Sequence, residues 1–247
     1  MAWAEYAGLR VLSGTVMIPY HGLWVADLAL ALTSTGPGSA NAVPPATGPL
    51  TIGTLTMQGA MFRRTDFGGR SSARFIGGFG GWQTTLQPKA YQNPNGLLLT
   101  TILNDAAMEA GEQIGSAALA SLSSVVVGTA YVRPQAPASR VLRLFAEPNW
   151  WVDNNGAIQV ADRLVLPASG STSDTKHLGP ILTQFTPTAY APGQARYTVA
   201  HENADDWMPG RTFAHPLIDG TQTVSMVTHR IGEDGQVRTD VLTTTSA

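Results

Sequence analysis

The chain has 247 residues, 43% of them hydrophobic and only 13% charged, with a formal net charge of -2. That balance gives no basic field for a nucleic-acid backbone, so no sequence-specific or sequence-independent nucleic-acid binding is expected. The absence of cysteine excludes disulfides, thiolate nucleophiles and cysteine metal sites, and no run approaches the ~20 apolar residues of a membrane-crossing helix, so no membrane anchor is expected.

Residues 10–18, RVLSGTVMI, read as a strand ended by Pro19. In the following GLWVADLALAL, Trp24, Ala26, Leu28, Leu30 and Leu32 alternate onto one face, which predicts a half-buried strand. Asp27 is the lone charge on that strand and is expected to face solvent or to pair with an arginine. The small-residue stretch 33–49 is a loop. In LTIGTLTMQGAMF the apolar phase flips from Leu50 and Ile52 to Leu55, Met57 and Met61, which places a type II′ turn at Gly53-Thr54. RSSARFI is another strand, followed by the glycine cluster GGFGGW at 77–82. That cluster does not open a helix after a buried strand and lacks a Walker lysine, so it reads as a bulge or a close backbone approach, not as a phosphate loop.

Residues 91–112 carry the long amphipathic helix signal: Leu98, Leu99, Ile102, Leu103, Ala106 and Ala110 recur at helical spacing, with Asn104, Asp105, Glu109 and Glu112 largely opposite. Asn95 is the expected N-cap and Gly111 the expected left-handed terminator. The acidic side is a candidate partner for a neighbour's arginine. After it come a helical turn, a strand at 124–132, a short helix SRVLRLFAE with Val141, Leu142 and Phe145 inward, and the hairpin WWVDNNGAIQV with Asn-Gly at its turn. Trp150 and Trp151 point to opposite faces of their strand, as packing residues or, less simply, as a stacking platform. Residues 167–177 are linker-like, and the remainder reads as short strands with polar turns.

Chemistry finds little purchase. His201-Glu202 begins like HExxH, but Asp205 stands at the fifth position; His201, Asp205, Asp206 and His215 are the residual metal possibility. No GxSxG elbow occurs, and Asp205-Asp206 beside Trp207 is the weak glycosidase-like pair. No cofactor and no enzymatic activity are expected.

TVMIPYHGLWVADLAL, LTIGTLTMQGAMFRR, GGWQTTLQPKAYQN, LLLTTILNDAAMEAGE, VLRLFAE, WWVDNNGAIQV and PGRTF, in that order, resemble phage baseplate or tail-tip hub proteins of the late-control D type and the hub part of type VI secretion spike proteins. The resemblance implies an α+β, predominantly β fold with two small barrel-like strand lobes joined by a short helix-and-hairpin region. It divides the chain into an N-terminal strand lobe at 1–90, a helix and hairpin region at 91–166 and a C-terminal lobe at 167–247. It further implies a structural virion protein of the tail, assembled in the host cytoplasm, forming a homotrimeric ring at the tube end. The partners would be other copies of itself, the tail tube or a distal tail protein, and a central spike or fibre. Tyr91, Asn93, Leu98, Ile102, Trp150, Trp151 and Gly156 would then be structural, with Asp105 and Glu109 available to an interface. A carbohydrate-binding or receptor-binding tail module is the competing expectation, motivated by Trp24, Trp82, Trp150, Trp151 and Trp207.

Overall fold

A computed structural model describes residues 4–32, 43–146, 150–160, 181–185, 194–200, 207–215 and 218–245. Alternating apolar residues build the first six strands: β1 (Ala4–Tyr6), β2 (Leu9–Pro19), β3 (Val25–Ala31), β4 (Thr47–Ile52), β5 (Leu55–Phe67) and β6 (Arg70–Gly77). They pair antiparallel in the order β1-β4-β5-β6-β3-β2, and β1 also pairs with β2, so the ring closes into a six-stranded barrel without a free edge. The expected face of β3 is the inner one: Trp24, Ala26, Leu28, Leu30 and Leu32 are all buried. The β4–β5 hairpin turns at Gly53-Thr54 with Ile52 opposite Leu55. Gly53 has φ +57°, and Ala7 is the only described non-glycine residue with positive φ, so the turn is of type II′ as expected.

The barrel core is shaped around Trp24. Its indole lies across Gly59 and Gly77, which face each other in the β5–β6 register. A Cβ on Gly77 would fall 2.7 Å from the indole, so a side chain at either glycine would displace the ring. Asp27 sits on the outer face, exposed, with both carboxylate oxygens 2.7 Å from the Arg74 guanidinium.

After a short 3-10 turn (Gly81–Gln83) come β7 (Thr85–Leu86), β8 (Lys89–Leu98), α1 (Leu99–Ala110), α2 (Ser116–Ser121), β9 (Val126–Arg133), β10 (Ala136–Pro137), α3 (Ser139–Ala146), β11 (Trp150–Val152) and β12 (Ile158–Val160). The helix begins later than its periodicity suggests. Residues 89–98 form a strand paired with β9, Leu98 occupies the N-cap position without a side-chain cap, and Asn95 is not the cap. Asn95 instead donates its backbone N–H to Asn93 Oδ1 (3.1 Å), a local turn that Pro94 and the left-handed Gly96 hold out of the helix. Leu99, Ile102, Leu103, Ala106 and Ala107 form the buried stripe, whereas Leu98, expected on it, is exposed. Gly111 ends the helix in the left-handed region (φ 70°), as expected. In α3, Val141 and Leu142 are buried; the Phe145 side chain lies outside the described residues.

The last strands are β13 (Ile181–Phe185), β14 (Gln194–Ala200), β15 (Thr212–His215), β16 (Ile218–Ile231) and β17 (Val237–Thr245). They continue the barrel's own sheet. The edge of β2 that pairs with β1 through Leu9 and Arg10 pairs with β16 through Gly14–Pro19. From β16 the sheet runs on through β17, β14 and β13, and β15 pairs with the other half of β16. The molecule is thus mainly β, a closed barrel with a further set of strands, and the two sets are joined by the β2–β16 ladder.

Candidate functional site

Of the expected site residues, Tyr91, Asp105 and Glu109 meet on one face of α1. Asp105 and Glu109 are four residues apart and share that face. Lys89 and Tyr91 alternate onto one side of β8, and Arg133, at the end of β9, is the register partner of Lys89. The ribbon therefore presents three donors to two carboxylates. Lys89 Nζ lies 2.5 Å from Asp105 Oδ1, Tyr91 donates its hydroxyl to Asp105 Oδ2 at 2.5 Å, and Arg133 reaches Asp105 Oδ2 at 3.4 Å and also pairs with Glu109. The Arg133 side chain is buried and further donates to the Gln87 carbonyl (3.1 Å). Burial alone would raise the Asp105 carboxyl, but the hydrogen bonds from Lys89 and Tyr91 outweigh it and hold it below the usual carboxylate range. Glu109 is held low by the Arg133 hydrogen bond, and burial together with Asp105 pushes the Tyr91 phenol up. Arg133 of the same chain thus meets both carboxylates.

Glu112 departs further from expectation. It was assigned to the polar face, yet it is buried. The left-handed Gly111 turns the chain so that the Glu112 carboxylate enters the glycine cluster, where the backbone N–H groups of Phe79, Gly81 and Trp82 donate to it at 2.6–3.2 Å. Gly78 (φ +93°) and Gly80 (φ +91°) supply the alternating conformation that aims successive amides inward, an anion-binding nest. A Cβ on Gly81 would land on the Ala110 carbonyl oxygen, so this is also the close backbone approach that the cluster suggests. Burial raises the Glu112 carboxyl, and the backbone amides only partly offset that. The amides of the glycine cluster are thus taken up by the protein's own carboxylate.

The aromatic hairpin lies apart from the ion cluster. Trp150 pairs with Val160, Trp151 with Gln159 and Val152 with Ile158. Asn154 and Asn155 are the central turn residues and Gly156 takes the left-handed position after them (φ 87°), while Asp153 Oδ1 accepts from the N–H groups of Asn155 and Ala157, both at 2.9 Å. One strand is hydrogen-bonded to the barrel: Gly22 N–H donates to Trp150 O (2.6 Å), and at the turn Gln58 N–H donates to Asn154 O (2.9 Å). The other is bonded to the segment leaving α1, through Ile158 N–H to Gln113 O (2.9 Å) and Gly115 N–H to Ile158 O (2.8 Å). Trp150 is buried and Trp151 half-buried, and Trp24, Trp82 and Trp207 are also buried. His201, Asp205 and Asp206 lie outside the described residues; among the described ones, no group of three His, Asp or Glu side chains could hold a metal.

The fold has counterparts among solved structures. The E. coli c3393 protein, a component of the type VI secretion system with structural similarity to the T4 bacteriophage tail proteins gp27 and gp5, aligns at TM-score 0.65 and 13% identity over 99% of this chain and 77% of that one. The 43 kDa tail protein of prophage MuSo2 from Shewanella oneidensis aligns at TM-score 0.63 and 9% identity, over 98% and 96% of the two chains. The chain has the fold of phage tail proteins. The tail protein of Neisseria meningitidis MC58 shares this tail-protein fold, with TM-score 0.63 and 12% identity over 98% of this chain and 95% of that one. No family model and no curated protein sequence matches the chain. The family resemblance drawn from short strings is therefore carried by topology, at identities too low for sequence to hold it.

Lys89, Arg133 and the anchoring role of Glu112 were not nominated from sequence. Lys89 lay in the segment assigned to the helix approach, and Arg133 was one arginine in a strand end, VRP, with no local sign of its partners.

Proposed function

We propose that this chain is a structural subunit of a phage tail, acting as a baseplate or tail-tip hub. Copies of it form a threefold ring at the distal end of the tail tube and adapt the tube to a spike or fibre. The observation that carries the proposal is a closed barrel continued by a second strand set in one sheet, the tail-protein fold over nearly the whole chain. In a ring, each chain would contribute both strand sets, and closed rotational symmetry would cover strand edges between subunits. The α1 junction is the internal brace: it ties the glycine cluster after the barrel's last strand, the β8–β9 ribbon and the aromatic hairpin to one helix. Its ions and amides are partnered within the chain and so hold geometry.

Native mass spectrometry with negative-stain imaging tests the proposal. The expected species is a trimer that appears as a ring and associates with tube ends. A monomer at every concentration, with no ring and no tube association, would overturn it. The competing carbohydrate-binding function has little platform to work with, because Trp24, Trp82, Trp150 and Trp207 are buried. Glycan-array binding abolished by Trp151→Ala would restore it.

A further inference from the structure

The register of the sheet assembles a charged row that no single stretch of sequence contains. Reading across strands, Arg63 of β5 faces Arg74 of β6, Arg74 faces Asp27 of β3, Asp27 faces Thr15 of β2, Thr15 faces Arg230 of β16, and Arg230 faces Arg238 of β17. All six side chains are exposed, and all lie on the outer face, since the neighbours Ala26, Val16, His229 and Thr239 are buried on the other side. With strands about 4.8 Å apart the row is roughly 24 Å long and crosses the junction between the barrel and the second strand set. Next to it, Asp240 of β17 accepts from Arg230 (2.5 Å), Arg196 (2.5 Å) and Thr198 (2.7 Å), beneath a shallow pocket of about 160 Å³ that Met226 and Leu242 also line.

Two features mark this face as more than solvated surface. First, it holds two direct like-charge pairs, Arg63 with Arg74 and Arg230 with Arg238, each set against a single carboxylate of the chain, Asp27 and Asp240, so positive charge stays in excess along the row. Among the described residues, neither Arg63 nor Arg238 has a carboxylate ion-pair partner, whereas Arg74 and Arg230 do. Second, the basic groups are all arginine, the residue suited to bidentate carboxylate recognition on a flat face. We propose that this outer face is a docking surface for an acidic polypeptide segment of a partner protein, whose carboxylates occupy Arg63 and Arg238 and share Arg74 and Arg230. The interleaved Asp27 and Asp240 favour a protein over a nucleic acid. Fixed carboxylates repel a continuous line of phosphates but accept the mixed donors and acceptors of a protein surface. The inference stands apart from the ring proposal, because the oligomeric mass is measured separately.

The test is fluorescence anisotropy of labelled oligoglutamate, about 20 residues long, with the intact chain at roughly 50 mM and 200 mM salt. Wild type is expected to bind at the lower salt and weaken at the higher. The Arg63→Gln/Arg238→Gln variant should lose tenfold or more, whereas Arg10→Gln/Arg64→Gln, which removes the same charge off the row, should change less than about twofold. Equal losses in both variants, no binding by wild type, or tighter binding of duplex DNA of matched length would each overturn the proposal. Hydrogen exchange on the wild-type chain supplies a reading that needs no variant. Oligoglutamate should slow exchange in β5–β6 and β16–β17, and slowing confined to any other region refutes the assignment.

Discussion

The carboxylates at the two sides of the α1 junction are held in opposite ways. Asp105 and Glu109 face cations, Lys89 and the buried Arg133, and both carboxyls sit below their usual range. Among the described residues Glu112 faces no cation in its nest; backbone amides receive it, burial dominates, and its carboxyl sits above the usual range. The first arrangement joins separate elements through long side chains, the buried Arg133 among them, that reach partly exposed carboxylates. The second closes a backbone loop onto a helix end, so its geometry is set by glycine conformation and admits almost no other residue. One is a clasp between elements; the other is part of the chain path.

The most severe way to break this comparison is to place a third carboxylate where neither solution exists. Ile102 is fully buried in the stripe of α1. Ile102→Asp is expected to cost upward of ~4 kcal/mol, through an unpaired buried charge and a lost apolar side chain, and to leave no soluble folded protein. Solution of wild-type-like assemblies from this variant, by size-exclusion chromatography, would show that α1 is not the brace.

Glu112 comes next. Glu112→Ala strands several inward-facing amides without an acceptor, each worth about 1–3 kcal/mol when buried, for an expected total of roughly 3 kcal/mol. Glu112→Gln retains one acceptor oxygen and should recover about half of that in denaturant melts. Equal losses in the two variants would mean that the nest requires the second carboxylate oxygen or the charge, and that one amide oxygen recovers nothing. Arg133→Met should cost less, about 1–3 kcal/mol, because the carboxylates it abandons are partly exposed and Lys89 and Tyr91 remain on Asp105.

The two sites also oppose each other in pH. Asp105 and Glu109 are depressed below their ordinary 3.8 and 4.5, so their stabilisation is present above those values and is lost as pH falls through the folded ones. Glu112 is raised above its ordinary 4.5, so the folded state holds its proton more tightly, and stability declines as pH rises from 4.5 through the folded value. Melting-temperature profiles of the two variants should separate these limbs. Glu112→Gln is expected to lose the decline on the neutral side and keep the acid loss, and Arg133→Met to keep the decline and lose the part of the acid limb that Glu109 carries. Profiles parallel to wild type in both would remove the ionic distinction altogether.

The same contrast explains how far sequence carried. Strands β2 and β3, the Gly53-Thr54 turn and the buried stripe from Leu99 to Ala106 were legible because their signals are local: period two, period 3.6 and a two-residue turn. Leu98 and Asn95 were misplaced because the helical spacing continues backward into β8, where pairing with β9 wins over propensity. Glu112 stands seven residues after Asp105 and so shares its helical face on paper; the left-handed Gly111 alone redirects it. Arg133, the β2–β16 ladder and the arginine row were invisible because each depends on register between strands far apart in sequence, which composition and periodicity do not encode.

The mildest prediction concerns Asp27, whose exposed pair with Arg74 is a third way of holding a carboxylate. The geometry is bidentate, and the Arg74 hydrogen bond lowers the Asp27 carboxyl despite some burial. Yet water surrounds both groups, so the attraction is screened and ordering the two side chains offsets most of it. Asp27→Asn should therefore move the melting temperature by less than about 2 °C at physiological salt. It also adds one positive charge to the outer row, which should tighten oligoglutamate binding severalfold at low salt. A large loss of stability with unchanged binding would place Asp27 with the structural clasps, not with the charged face.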